Sequence, residues 1–282
     1  ADEGGLPFYP FLKSFEADFA GSLEKMQQVF AGLLPKLFNR HGLIVSVTLK
    51  QEEYPAFEEA FGALQQSFSQ EVFPAASLDW KIKPENEGLT SSSRVQYVGK
   101  GANFLRLGYH YTGSMAVLET LLRYDYFWTK VRVQGGAYGA FTGFNRNGFM
   151  YFGSYRDPNL RETLAVFDGT ADYAAHFTAS EREMDKFIIG TMSGVDTPLT
   201  PMMKGDAAAT CYLRGITEAD RQQRRTEILS TRQEDIRALA PLIADCMKEN
   251  VLCVFGNDEK IAEAKDAFGS IHPALPALDE SE

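Results

Sequence analysis

The sequence predicts an α+β fold in which helices pack on an antiparallel-rich β-sheet. Runs with apolar residues at helical spacing and short β-rich runs occur along the whole chain, but not in the regular β-α-β order with glycine loops that is typical of parallel sheets. The chain has 282 residues, of which 44% are hydrophobic. This length is enough to bury one large core or two smaller ones.

The same order of elements, a helix, a short strand and a shorter helix, occurs near both ends of the chain. The ranges are 23–38, 42–50 and 55–68 in the first copy, and 235–247, 250–256 and 259–268 in the second. Two related domains that end in the same way would produce this repeat. We therefore expect residues 1–75 to be the C-terminal part of one domain and residues 94–282 to be a complete last domain.

Residues 76–93 are expected to link the two domains, because the stretch "FPAASLDWKIKPENEGLTSSSR" around them is rich in Pro, Ser, Glu and Asn and lacks a sustained period. Beyond it, "VQYVGKGANFLRLGYHY" predicts one or two strands, and "GFMYFGSYRD" predicts another. A helix over 115–130 is expected to begin at Ser114 as N-cap. Its apolar stripe comprises Val117, Leu121, Tyr124, Trp128 and Val131.

Further along, Ser180 and Glu183 form a capping box that predicts a helix. Thr217 to Asp220 opens another helix, which is charged. Between them, residues 193–206 are predicted to form a loop because Gly and Pro punctuate them.

Composition excludes several classes of function. The net charge is −10 and the pI is about 5.0, so the chain has no basic excess for binding nucleic acid. The apolar runs are only a few residues long, so no membrane partner or span is expected.

The N-terminal "ADEGGLPFYPF" does not resemble a signal peptide, and we interpret it as a processed or excised start. Three cysteines, an odd and sparse set, predict buried reduced thiols and a cytoplasmic location.

The stretch "KVRVQGGAYGAFTGF", residues 130–144, stands out because Arg132, two glycines and Tyr138 lie within seven residues. On a continuous helix, Arg132 and Tyr138 would be separated by about 600° of rotation. On a straight strand they would lie roughly 20 Å apart. Gly135 and Gly136 tolerate positive φ and allow a reversal that could bring the two side chains together. Both side chains donate hydrogen bonds suited to a carbonyl or a developing oxyanion.

The residues alone also fit a structural role for this corner. The glycines could simply end a helix, with Tyr138 packed in the core and Arg132 in an ion pair. The stretch lacks the P-loop and dinucleotide-binding patterns. The four histidines are isolated from one another, so neither a preformed metal site nor a complete catalytic centre is visible.

The stretches "TKVRVQGGAYGAF", "QYVGKGANF", "SYRDPNLRETLAVFDGTADY" and "LRGITEADRQQRRTEILSTRQEDIRAL" resemble the C-terminal half of the pitrilysin and insulinase family of inverted-zincin metallopeptidases, in particular its presequence-protease branch. The resemblance covers nearly the whole chain. It implies four homologous α+β domains in two halves that enclose a chamber. Residues 1–75 would then end the third domain, and residues 94–282 would form the fourth.

The resemblance also implies zinc-dependent cleavage of unstructured peptides. The N-terminal half would bind zinc through H-x-x-E-H and a distal glutamate and supply the general base; this half is absent from the sequence, so the fragment alone is expected to be inactive. Arg132 and Tyr138 match the Arg and Tyr that reach the substrate, and Gly135 and Gly136 would set the backbone path of the substrate-binding corner. The family also contains inactive members, so a non-catalytic peptide-binding or assembly subunit remains the alternative.

Overall fold

The computed structural model describes residues 8–74, 77 and 85–275. The helices are α1 (Phe8–Ala17), α2 (Phe19–Leu37), α3 (Tyr54–Gln65), α4 (Gly113–Leu121), α5 (Arg161–Asp168), α6 (Thr170–Ala175), α7 (Glu181–Val195), α8 (Pro201–Arg214), α9 (Glu218–Leu229), α10 (Gln233–Ala238), α11 (Ala240–Lys248) and α12 (Asp258–Glu263). The strands are β1 (Glu87–Ser91), β2 (Gln96–Asn103), β3 (Gly139–Phe144), β4 (Phe149–Asp157), β5 (Val251–Asn257) and β6 (Ser270–Pro273).

The chain divides into two compact units. Unit 1 contains the described residues of 1–81 together with 198–216, and unit 2 contains those of 82–197 and 217–282. The segment 198–216 therefore belongs to the N-terminal unit, although the sequence pattern placed it within the last domain. The assignment of the two regions to a third and a fourth family domain stays a prediction.

Unit 1 is helical, and two expectations about segments that lie in it, wholly or in part, were wrong. The β-rich run 42–50 forms no strand, and none of the described residues pairs with it along its length. A β-strand needs a partner for its backbone groups, which the sequence pattern of one segment cannot supply. The loop expected at 193–206 is mostly helix: α7 continues to Val195, and α8 begins at Pro201. Pro201 occupies the first turn, where its missing N–H is not needed, and Thr200 caps that helix.

Unit 2 is built on one six-stranded sheet with the order β3-β4-β2-β5-β1-β6. The pairs β3/β4, β4/β2 and β2/β5 are antiparallel, whereas β1 is parallel to both β5 and β6. The α+β class is confirmed, and the sheet is mixed. The strand β1 lies inside the range 76–93 that was expected to be a linker; residues 76 and 78–84 of that range lie outside the described residues.

The core of unit 2 lies between one face of the sheet and the helices packed on it. Side chains along β2 and β4 alternate between this buried face and an open face. The rings of Phe127, Phe152 and Phe167 meet there with centroids 5.0–5.8 Å apart, and all three are fully buried. Such aromatic contacts contribute beyond the burial of their apolar area, so they fix the helix that carries Phe127 on the sheet.

That helix begins as α4 and continues as two π-helical segments, Leu122–Tyr126 and Trp128–Gln134. The expected stripe was therefore only partly right: Val117, Leu121 and Val131 are buried, but Tyr124 and Trp128 are exposed. In a π-helix the backbone bonds span five residues, which widens the turn and changes the buried face. The expected N-cap was also wrong, since Thr112 holds that position and the carboxylate of Glu227 accepts the Gly113 N–H at 2.6 Å.

Several local predictions are confirmed. Ser180 and Glu183 form the capping box of α7, Thr217 and Asp220 form that of α9, and "GFMYFGSYRD" forms β4. The helix expected at 235–247 is divided into α10 and α11, and the last expected helix becomes α12 with a 3₁₀ turn at Lys265–Ala267.

The three cysteines are free, but the expectation that all are buried was wrong. Cys246 is buried, which raises the pKa of its thiol to about 11, whereas Cys253 is exposed. No helix among the described residues is both long and apolar enough to cross a membrane.

Candidate functional site

The helix that carries Arg132 ends at the glycine pair, and the chain turns there into β3. Gly136 donates its N–H to the carbonyl of Arg132 at 2.9 Å, and Ala137 donates to the carbonyl of Val131 at 3.1 Å. These bonds satisfy carbonyls that the end of a helix otherwise leaves free. The corner is therefore a helix C-terminus that delivers Tyr138 directly to the start of a strand.

The two glycines have different roles, although the sequence pattern predicted a shared one. Gly136 has a φ of +81°, whereas Gly135 has a φ of −81°. A Cβ on Gly135 would lie 2.5 Å from the carbonyl oxygen of Val131, while one on Gly136 would meet Pro158 at an ordinary 3.5 Å. Gly136 is therefore required by the backbone conformation, and Gly135 by the close approach of the preceding turn.

A Gly136→Ala variant is expected to lose about 1–2 kcal/mol of folding stability, because an L-residue is strained at this φ. Gly108 supplies a matched control, since its φ is +86° and no atom lies within 4 Å of the position of an added Cβ. Gly108→Ala should cost a similar amount of stability, because it too places an L-residue at a positive φ. Thermal unfolding of the two variants measures both effects. A stability unchanged in Gly136→Ala would show that the backbone at this position does not require glycine.

Arg132 lies in the second π-helical segment, and its guanidinium stacks on an aromatic ring. The Cζ atom lies 4.0 Å from the ring centroid of Trp128, which is 44% exposed. No ion pair or side-chain hydrogen bond of Arg132 occurs among the described residues. The ion pair expected in the structural alternative is therefore not found, and the donors of the guanidinium remain available to a ligand.

Tyr138 does not pack in the core: its side chain is 68% exposed. Its backbone N–H donates to the carbonyls of Tyr155 (3.1 Å) and Arg156 (3.4 Å), and its ring meets that of Tyr155 edge-on at 5.9 Å. Within the described part of the chain, the phenolic oxygen makes no hydrogen bond. The structure thus fixes the backbone of Tyr138 and presents its hydroxyl to solvent. No hydrogen bond or cation–π contact joins Arg132 and Tyr138 among the described residues.

Sequence reasoning missed the segment that holds this corner, Tyr155–Asn159 at the end of β4. The side-chain amide of Asn159 donates to the carbonyl of Gly135 at 2.6 Å. The pairing of β2 with β4 is shifted here, and Arg156 has a φ of +49°. The dipeptide Pro158-Asn159 after a strand is a turn signal, but it does not reveal which distant carbonyl the asparagine contacts.

An aromatic surface adjoins the corner on the open face of the sheet. The ring of Tyr155 meets the rings of Tyr97 at 5.2 Å and Phe141 at 6.4 Å, and the ring of Tyr97 meets that of Phe255 at 5.5 Å. Phe141, Tyr155 and Phe255 are exposed. A solvent-exposed aromatic group of this kind is suited to contact the apolar side chains of a ligand.

The described residues offer no metal site. No group of three or more His, Cys, Asp or Glu side chains in the part of the chain that the structure describes is placed to hold a metal ion. What the corner itself offers to a ligand is a pair of hydrogen-bond donors, the guanidinium of Arg132 and the phenol of Tyr138.

Comparison with known proteins identifies the family. Residues 86–255, which include the sheet strands β1 to β4, the corner and most of β5, match the family described as the PreP C-terminal domain. The chain belongs to this family.

Similarity to curated relatives extends further than the PreP C-terminal domain. The chain is 40% identical over 276 residues to Protein HypA of Clostridium perfringens, covering 96% of the chain and 28% of that protein. It is 31% identical over 283 aligned positions to Presequence protease 1, chloroplastic/mitochondrial, of Arabidopsis thaliana, covering 98% of the chain and 26% of that protein.

The fold of this PreP C-terminal domain protein is that of pitrilysin-type peptidases. The crystal structure of pitrilysin matches 73% of the chain with a TM-score of 0.52 and 13% identity, and the chain covers 23% of it. A protease from Helicobacter pylori matches 73% of the chain with a TM-score of 0.51 and 13% identity, with 52% of that protein covered. The chain spans about a quarter of the length of the two curated relatives. It thus combines the PreP C-terminal domain with the fold of pitrilysin-type peptidases.

Proposed function

We propose that this chain is the substrate-clamping, C-terminal part of a zinc-dependent endopeptidase that degrades unstructured peptides. The observation that carries the proposal is the presentation of Arg132 and Tyr138, whose side chains form no hydrogen bond or ion pair with any other described residue. The ring of Trp128 beside Arg132 and the backbone hydrogen bonds of Tyr138 hold both residues in place without engaging their side-chain donors. Membership of the PreP C-terminal domain family supports the same interpretation.

The proposed roles follow from the chemistry of the two donors. Tyr138 donates its phenolic O–H to the oxygen of the scissile carbonyl, where negative charge develops as the tetrahedral intermediate forms. Arg132 donates from its guanidinium to a neighbouring backbone carbonyl of the peptide and so holds it in register. The stacking of Arg132 on Trp128 limits its rotamers before the substrate arrives.

The metal does not fit the described residues of this chain, which contain no ligand cluster. The proposal therefore assigns the zinc and the general-base glutamate to an N-terminal H-x-x-E-H half, fused or separate, as the resemblance implies. The chain's own contribution is to bind and orient the peptide, and the fragment alone is proposed to be inactive.

Unit 1 is consistent with a chain that completes a larger assembly. None of the helices α1, α2, α3 and α8 has a buried residue, and apolar side chains such as Phe30, Leu34 and Leu37 are half exposed or more. Exposed apolar surface of this extent marks an interaction site.

The free cysteines support a reducing compartment, and we propose the cytoplasm.

A split-enzyme assay tests the proposal. An unstructured peptide of roughly 20–30 residues is incubated with zinc and the chain, the rest of the protein including the H-x-x-E-H half, or both; such a peptide is long enough to span the groups proposed on the two parts. Cleavage is expected only in the mixture. Cleavage by the chain alone would contradict the proposed division of roles. A mixture that forms a complex but does not cleave would instead favour the non-catalytic peptide-binding or assembly subunit.

A further inference from the structure

The corner that carries the two donor side chains is held from both sides by the segment Tyr155–Asn159, which we call the β4 clamp. On one side, the carbonyls of Tyr155 and Arg156 accept the N–H of Tyr138. On the other side, the amide of Asn159 donates to the carbonyl of Gly135 at 2.6 Å. The stretch from Gly135 to Tyr138 is therefore bound at both ends by one short segment of five residues.

The β4 clamp is itself anchored by a carboxylate. Asp157 is fully buried, and its Oδ1 accepts the backbone N–H of Asn159 at 2.9 Å. Its Oδ2 accepts the hydroxyl of Thr163 in α5 at 2.7 Å. Burying a carboxylate is unfavourable unless its oxygens are hydrogen-bonded, and here both are. The anchor orients Asn159 so that its side chain reaches the corner.

The conformation of the clamp is unusual for its sequence. Arg156 adopts a φ of +49°, and the shifted register places Tyr155 and Arg156 together opposite Tyr97 of β2. Positive φ is uncommon for residues other than glycine, and an extra residue in a strand of this kind re-aims the neighbouring groups. Because of this irregularity, two successive carbonyls, those of Tyr155 and Arg156, face the N–H of Tyr138. A regular ladder would offer that N–H only one carbonyl.

We propose that Asp157 and Asn159 are positioning residues for peptide cleavage: they hold the backbone of the corner so that Arg132 and Tyr138 meet the substrate together. This inference rests on the proposed function. Neither residue is assigned a contact with the peptide. Asn159 acts through the carbonyl of Gly135, and Asp157 acts through Asn159.

The test uses Asn159→Ala in the full-length protein, with Asn145→Ala as the matched control. Asn145 also donates its side-chain amide to a backbone carbonyl, that of Phe149 at 3.1 Å, but at the opposite end of the β3/β4 pair. Asn159→Ala is expected to lower kcat by about 10-fold or more while KM changes less, because small misplacements of catalytic groups are costly. Asn145→Ala should leave kcat unchanged. The thermal midpoints of both variants establish that the two proteins are folded.

A double variant separates positioning from a merely structural effect. If Asn159 acts through the corner, adding Asn159→Ala to Tyr138→Phe should reduce kcat by much less than it does in the wild-type background. Full additivity, or equal kcat for Asn159→Ala and Asn145→Ala, would overturn the inference. Asn159→Asp provides a second variant of similar shape that cannot donate, and it should behave like Asn159→Ala. If the proposed function itself is wrong, Tyr138→Phe and Arg132→Ala will retain full turnover. This result separates that case from a failure of the positioning role alone.

Discussion

Tyr138→Phe is expected to lower the kcat of the full-length protein by on the order of 10² to 10³, the typical loss when one preorganised donor to a developing oxyanion is removed. The variant keeps the ring, and the contact with the ring of Tyr155 at 5.9 Å depends on the ring alone. Because the hydroxyl makes no hydrogen bond among the described residues and the side chain is exposed, its removal should leave the free energy of unfolding nearly unchanged.

The matched control for this variant is Tyr124→Phe. Tyr124 lies on the helix that leads to the corner and is 66% exposed, close to the exposure of Tyr138. Removing its hydroxyl should change neither turnover nor stability. Steady-state cleavage of an unstructured peptide gives kcat and KM for both variants. If the kcat of Tyr138→Phe equalled that of Tyr124→Phe, a role of the phenol in the reaction would be excluded. The corner would then serve only to bind the peptide.

Features that depend on neighbouring residues in the chain were accessible from the sequence. The capping boxes at Ser180 and Thr217 are short local patterns, so each helix start could be predicted from the sequence around it. The strand "GFMYFGSYRD" could be predicted from its alternation. The α+β class follows from the mixture of such elements.

Features that depend on distant partners were not accessible. The run 42–50 has the composition of a strand, yet no described residue pairs with it along its length, and the parallel neighbours of β1 come from the other end of the chain. The prediction of the buried stripe was partly wrong because of the π-helical segments. Along this helix Leu122 and Phe127 are five residues apart and both are fully buried. A helical period of 3.6 residues does not place them on one face.

The candidate site was predicted in part for the same reasons. Arg132, Tyr138 and the need for a glycine at the reversal could be proposed from a single stretch of sequence. The separate roles of Gly135 and Gly136 required the backbone conformation. The β4 clamp required the tertiary structure, because the hydrogen bond between Asn159 and Gly135 spans 24 residues and no local pattern encodes it.

Arg132→Ala is expected to lower kcat/KM by about 10- to 100-fold, since a hydrogen bond from a charged donor contributes roughly 1.5–3 kcal/mol. The stability of the protein should fall by at most about 1 kcal/mol, through loss of the stacking on Trp128 at an exposed position. Lys130→Ala is the matched control, because it removes a positive charge from the same helix two residues away, where the side chain is exposed. It should leave kcat/KM unchanged if the guanidinium acts by direct contact.

Arg132→Lys distinguishes a direct contact from an effect of charge. Lysine keeps the charge but lacks the planar fork of donors and stacks less well on an aromatic ring. If Arg132 holds a peptide carbonyl with its guanidinium, the lysine variant should recover little of the lost activity. Recovery of most of the activity, or an equal loss for Lys130→Ala, would show that the helix contributes only a positive potential. Arg132 would then attract the peptide without orienting it, and the clamping role would pass to Tyr138 alone.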